Sequence, residues 1–243
     1  MKGVIWGIAP EAQIADLSHT VEPQNILMGA LIMGRSCPYF PKGSVHIAVV
    51  DPGVGTARRP IAAWVGDRYF IGPDNGLMTQ MVIRAEKAGL PVKVVHLTNK
   101  EYFLPEISYV FHGRDIFAPV AAHLANGVKL EDLGEVITDF VRMEFPKAEL
   151  KGDTWHGIVA HIDYFGNLAF NIRRENLAGQ DACVKLAGVE ICGLVNTFGE
   201  QPVGELVALY GSTGDLIVSV VNGNAAERLG VKLGDPVEVT IRR

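Results

Sequence analysis

Apolar runs alternate with amphipathic stretches through the first half of the chain, and the spacing changes after Pro146. Met1–Ile8 reads as the end of a helix, stopped by Pro10, and Gln13–Leu17 as a short strand ending at Ser18-His19. Pro23–Met33 carries a helical period with proline near its first turn. Val45–Val50 (VHIAVV) is nearly unbroken in apolar character, as expected of a strand covered on both faces. Ile61–Val65 and Tyr69–Ile71 flank Gly66-Asp67 and predict a hairpin. Leu77–Ala88 predicts a helix and Val92–Leu97 a strand. Asp115–Ala125 predicts a helix opening on an acid, which suits the positive end of the helix dipole. This alternation predicts an α/β domain over residues 1–147 with a mostly parallel central sheet.

From Trp155 onward the runs are short and closely spaced, split by Gly, Asn and Asp. Strands are predicted at Gly157–Ile162, Leu168–Asn171, Ala182–Leu186, Val189–Cys192, Leu206–Tyr210, Leu216–Val221 and Pro236–Ile241, with one helical piece at Ala225–Leu229. Such spacing predicts a small all-β barrel or sandwich over residues 153–243, joined through the polar stretch Lys147–Asp153.

Composition narrows the function classes. The chain has 243 residues, 48% apolar and 20% charged, the balance of a folded globule rather than a disordered chain. A net charge of −5, with no basic run denser than a pair (Arg58-Arg59, Arg173-Arg174, Arg242-Arg243), argues against nucleic acid as a partner. No run reaches the roughly 18 apolar residues of a membrane span, and the opening MKGVIWGIAPEAQ does not read as a signal peptide. Three cysteines, Cys37, Cys183 and Cys192, lack CxxC spacing and are expected as buried, reduced thiols in a cytoplasmic protein. No metal cluster is expected.

Three loops after strand-like runs hold the candidate chemistry. Asp51-Pro-Gly-Val-Gly-Thr-Ala-Arg58-Arg59 follows VHIAVV, at the strand end where α/β sheets bind ligands. Its glycines permit close backbone approach. The same segment reads equally as a tight turn in which Asp51 bonds its own backbone. Phe111-His112-Gly113-Arg114-Asp115 places an imidazole at a helix start, as a proton handler or as an ordinary capping-region histidine. His46, His96 and His161 lie in strand-like runs and His123 in mid-helix, where packed roles are expected. Asp163-Tyr164-Phe165-Gly166-Asn167 reads as a hairpin turn, or as a platform for a flat polar ligand. Gly72-Pro-Asp-Asn-Gly76 reads as a turn.

Taken together and in order, DPGVGTARR, GPDNG, FHGRDIFAP and DYFGN resemble the S-adenosyl-L-methionine (SAM) hydroxide adenosyltransferase family, whose relatives include the halide-using fluorinase and chlorinase. LSHTVEP near the start fits the same resemblance. It implies an N-terminal α/β domain, a C-terminal β barrel, and a homotrimer with sites between subunits. It implies SAM as substrate, with adenosine and L-methionine as products of water attack at ribose C5′, and no cofactor. The catalytic set carries over to Asp51, Arg58 and His112. Substrate contacts carry over to Phe111, Gly113 and Val54, to Asp163, Phe165 and Asn167, and to the Ser212 and Asn222 region. Aspartate and histidine at positions 51 and 112 favour water over halide as nucleophile, with a 5′-halo-5′-deoxyadenosine synthase as the alternative. Family members open with a strand and a Thr-Asp-Phe-Gly-like turn ahead of Met-Lys-Gly. This sequence opens at Met-Lys-Gly, without that strand and its ribose-holding aspartate, which is expected either of a start placed downstream of the true one or of a shortened chain. A catalytically impaired nucleoside-binding module is therefore a further alternative.

The chemistry so implied needs no acid for the leaving group, because methionine departs from the sulfonium as a neutral thioether. Asp51 is expected to hold the attacking water or act as its base, Arg58 to orient Asp51, and His112 to complete the hydrogen bonds or relay the proton.

Overall fold

The computed structural model describes Met1–Arg242. The chain divides into two compact units, Met1–Met143 and Glu144–Arg243.

In the first unit, helices α1 (Lys2–Ile8), α2 (Ile26–Ser36), α3 (Thr79–Lys87) and α4 (Ala118–Ala125) surround a five-stranded sheet. Its strands are β1 (Val45–Ile47), β2 (Pro60–Val65), β3 (Arg68–Pro73), β4 (Val92–Leu97) and β5 (Gly134–Ile137), in the order β1-β3-β2-β4-β5. Only β1–β3 is parallel; β2–β3, β2–β4 and β4–β5 are antiparallel. The mostly parallel sheet expected from the sequence is thus corrected to a mixed one. The misreading has a physical cause. Ile61, Ala63 and Phe70 pack with Met33, Met81 and Val82 on one face, while Ala62, Ile71 and Val95 pack with Phe117 and Val120 on the other. Burial on both faces erases alternation, so antiparallel strands read like parallel ones.

Local signals shift several boundaries. Gln13–Leu17 forms no strand. Helix α2 starts at Ile26 rather than Pro23, because the Asn25 side chain accepts the Met28 N–H at 2.9 Å and caps it. The helix expected from Asp115 begins as a π turn, Gly113–Phe117, that runs into α4, with Pro119 in the first turn of α4.

The second unit holds β6 (Glu149–Lys151), β7 (Thr154–Ile162), β8 (Leu168–Arg173), β9 (Ala182–Leu186), β10 (Val189–Cys192), β11 (Leu206–Tyr210), β12 (Asp215–Val220) and β13 (Pro236–Ile241), with short helices α5 (Arg174–Leu177) and α6 (Ala225–Leu229). The order is β10-β9-β13-β7-β8-β12-β11, antiparallel throughout, with β6 on β7. A bridge from Leu194 to Ala208 links the two ends of this order, giving a near-barrel. Inward side chains such as Val159, Phe170, Val184, Leu216 and Val239 fill it.

The cysteine expectation is corrected here. Cys37 is a buried free thiol, but Cys183 and Cys192 form a disulfide. Strands β9 and β10 pair through the turn Ala187-Gly188, both at positive φ, and this register sets Cys183 opposite Cys192. A spacing of nine residues carries no metal or redox motif, yet the hairpin makes the pair direct neighbours.

Candidate active site

The DPGVGTARR segment leaves the end of β1 and returns to β2 through two successive turns. Val54 N–H donates to Asp51 C=O at 3.2 Å and Thr56 N–H to Gly53 C=O at 3.2 Å. The Thr56 hydroxyl then donates to Gly53 C=O at 2.7 Å and accepts the Arg58 N–H at 3.3 Å. Gly55 sits at φ 76°, and a Cβ there would run into the Tyr109 carbonyl oxygen. The path therefore folds Arg58 back onto Asp51.

The resulting pair is bidentate. Arg58 Nε donates to Asp51 Oδ1 at 3.0 Å, and Nη2 donates to Oδ2. Both side chains are more than nine-tenths buried, at 7% exposure for Arg58 and 5% for Asp51. Burial makes the two-pronged geometry necessary, since a buried charge must be paired and hydrogen-bonded. The guanidinium lies 5.4 Å from the Phe117 ring centroid. Its Nη1 is buried and has no protein partner.

His112 joins this pair from the π turn: its Nδ1 lies 3.1 Å from Arg58 Nη2. Arginine only donates, so Nδ1 accepts and the proton of the neutral ring sits on Nε2. Burial, and then the Arg58 charge, hold the imidazole below its ordinary value, against a smaller upward pull from Asp51 and Asp115. The loop before it is pinned by Asp115, fully buried, which accepts the Ser108 N–H at 2.8 Å and Arg114 Nε at 2.5 Å. Phe111 is exposed with the Arg114 guanidinium over its ring, and Gly113 is buried against Met1 and Val49.

A cleft of about 600 Å³ borders Asp51, Pro52 and Val54. One wall is Ile47–Val50; the other is the segment from Leu17 to Gln24, backed by α2. Ser18, His19 and Gln24 on that wall were not singled out by sequence reasoning, although LSHTVEP contains two of them. Gln24 at φ 65° carries a backbone strain that no sequence pattern signals.

In the second unit, Asp163 closes the turn between β7 and β8. Its carboxylate accepts the Phe165 and Asn167 N–H groups at 2.9 Å each and Asn167 Nδ2 at 2.8 Å. Tyr164 and Phe165 stand out at 97% and 71% exposure. Ala226 N–H donates to Gly166 C=O, so this turn lies against the 222–226 stretch, where Asn222 sits exposed at φ 53°. Ser212 lies elsewhere: it is in the turn before β12, whereas Asn222 follows that strand. The structure thus gathers Asp163, Phe165, Asn167 and Asn222 at one end of the near-barrel and Ser212 at the other. Among the described residues, the side chains able to converge on a metal are Cys183, Glu190 and Cys192, and the two sulfurs are bonded to each other.

The fold and the arrangement around Asp51 define a class. Residues 1–134 match the SAM hydroxide adenosyltransferase N-terminal domain and residues 157–238 its C-terminal domain, so the chain belongs to this family. It is 39% identical to the (R)-S-adenosyl-L-methionine hydrolase of Salinispora tropica, over 98% of this chain and 90% of that protein. The fluorinase of Nocardia brasiliensis is 28% identical, over 99% of this chain and 91% of its own. Among solved structures, an uncharacterized conserved protein from Thermotoga maritima superposes with a TM-score of 0.89 at 36% identity, covering 98% of this chain and 93% of that one.

Proposed function

We propose that this chain hydrolyses SAM to adenosine and L-methionine, with Asp51, Arg58 and His112 handling the water. The observation that carries the reading is the buried Asp51–Arg58 pair, met by His112, beside a cleft large enough for a nucleoside.

The reaction needs a water aligned behind C5′ and a place for its proton. The water's oxygen forms a bond to C5′ as the C5′–S bond breaks, and that electron pair stays on sulfur, leaving a neutral thioether. Asp51 accepts a hydrogen bond from the water and takes its proton, which then passes to solvent. Each Asp51 oxygen already accepts one bond from Arg58, and a carboxylate retains further lone pairs for the water. His112 is turned with Nδ1 toward Arg58, so it keeps the guanidinium in plane instead of drawing the water's proton through that nitrogen. Fixed alignment of the water behind C5′ supplies much of the rate.

Substrate contacts in this reading come from Val54, Phe111 and Gly113 and from the Asp163, Phe165, Asn167 and Asn222 cluster. Ser212 stands apart from that cluster and is the weakest member of the set. The family resemblance also carries a homotrimer with sites between subunits. The exposed Tyr109 and Val110, at 79% and 78%, support a covered surface beside His112.

Asp51→Asn keeps the shape and removes the base. We expect kcat to fall by roughly 100-fold or more with KM little changed, measured as adenosine released from SAM. Unchanged kcat in this variant removes Asp51 from the chemistry.

A further inference from the structure

The Gly72–Gly76 turn reaches both ends of the Asp51–Arg58 loop. At the front end, Asn75 Nδ2 donates to the carbonyl of Val50, the residue before Asp51, at 2.9 Å. At the back end, Asp74 N–H donates to the carbonyl of Arg59, the residue after Arg58, at 2.9 Å. Asp74, with its side chain almost fully buried, also takes a fork from Arg59, with Nε at 3.0 Å and Nη2 at 2.7 Å from Oδ2. Arg59 Nη1 continues to Asp139 Oδ1 at 2.8 Å, and Asp74 Oδ1 accepts the Val141 N–H at 2.7 Å.

We infer that Asn75, together with the Asp74–Arg59 fork, is a positioning brace: it sets the separation of the two loop ends and thereby holds Arg58 against both Asp51 and His112. This role rests on the hydrolase reading above for its catalytic meaning, but not for its geometry.

Apart from the Asp51–Arg58 fork that it presents, the backbone between Val50 and Arg59 is held by small turns of its own. Those turns fix the curvature of the loop, not the placement of its ends. Strand β1 is an edge strand whose ladder partner is β3 alone, and its assigned pairing stops at Ile47. Beyond Ile47, Ala48 N–H still bonds Ile71 C=O, and the next tie is the Asn75 amide at Val50. A shift of Val50 moves Asp51 directly. A bidentate ion pair tolerates little such movement, and misplacement of about 1 Å costs on the order of 100-fold in rate. The two consecutive residues Asp74 and Asn75 therefore do opposite halves of one task.

His112 reports on this brace. The charged groups facing it are Arg58 and Asp51 from the loop and Asp115 from its own turn. Loosening Arg58 removes part of what keeps the imidazole low, and opens the site to water.

The test compares the parent chain with Asn75→Asp, which keeps the side-chain shape but turns the donor into an acceptor facing Val50 C=O. Arg59→Lys is the second variant, keeping the charge and losing the fork. Two readouts are taken: the NMR titration of the His112 imidazole, and kcat and KM for adenosine release from SAM. The brace predicts that His112 titrates closer to its ordinary value in both variants, and that kcat falls by about 10- to 100-fold with little change in KM. Where Asn75→Asp does not fold, Arg59→Lys carries the test. A His112 titration identical to the parent in the folded variants overturns the brace, as does a kcat loss that only follows the fraction unfolded. Failure of the hydrolase reading looks different: the parent chain releases no adenosine while the His112 titration still responds to both substitutions.

Discussion

At position 112 an imidazole meets a guanidinium that can only donate, and this fixes the tautomer of the ring. Burial and the Arg58 charge hold His112 below its usual value of about 6.5. The neutral ring is therefore the prevailing form through neutral pH and somewhat below the usual histidine range. Activity should be flat there and lost as pH falls through the lowered value, because a protonated ring cannot accept from Arg58. Removing the arginine charge with Arg58→Gln should lower kcat and move any residual acid limb upward in pH, read from the kcat–pH profile. A limb that stays in place would mean His112 is set by burial alone. At this scale much was legible. The loops holding Asp51, Arg58 and His112 stood out as polar segments after strand-like runs, and the family resemblance rather than the pattern singled out these three side chains. Less legible was Asn75: its turn looked self-contained, and its work is done on a carbonyl 25 positions earlier in the chain. His46 conforms to the packed role expected of it, edge-on to Phe40 at 5.4 Å, with burial and Arg68 pushing it down to about 4.

Among elements, the Asp51–Arg58 loop depends on one backbone conformation. Gly55 combines positive φ with close approach to the Tyr109 carbonyl. Gly55→Ala should destabilise by about 1–3 kcal/mol through backbone strain and the displaced 105–112 loop, seen as a lowered denaturation midpoint. It should also cost activity, because Tyr109 precedes His112 by only three residues. A midpoint and kcat equal to the parent would show the loop to be plastic. Most strands and helices could be placed from periodicity, to within a few residues. Pairing direction could not, because helices cover both faces of the first sheet and remove the alternation that marks antiparallel strands. The Gly113–Phe117 π turn was also invisible, since its residues keep a helical pattern while its hydrogen bonds shift by one. Strands β5 and β6 went unread because Gly134–Ile137 and Glu149–Lys151 are short and largely exposed. The Cys183–Cys192 bond needed the β9–β10 register, which a spacing count does not contain.

For the whole molecule, similarity to SAM hydrolases extends over 98% of the chain, and similarity to fluorinases is more distant. The motif order across both halves was enough to suggest the family, because four loops in sequence are a stronger constraint than any one of them. What separates the two activities is the nucleophile delivered to C5′. Asp51 with its Arg58 fork suits a neutral molecule that must lose a proton, and a carboxylate at that point repels an anion. The most direct test is to incubate the purified chain with SAM in 18O-enriched water containing chloride, and to weigh the nucleoside product by mass spectrometry. The account predicts adenosine carrying one 18O at the 5′ oxygen, in equal yield with methionine and unaffected by the halide. A 5′-chloro-5′-deoxyadenosine product, or adenosine without the label, would contradict it.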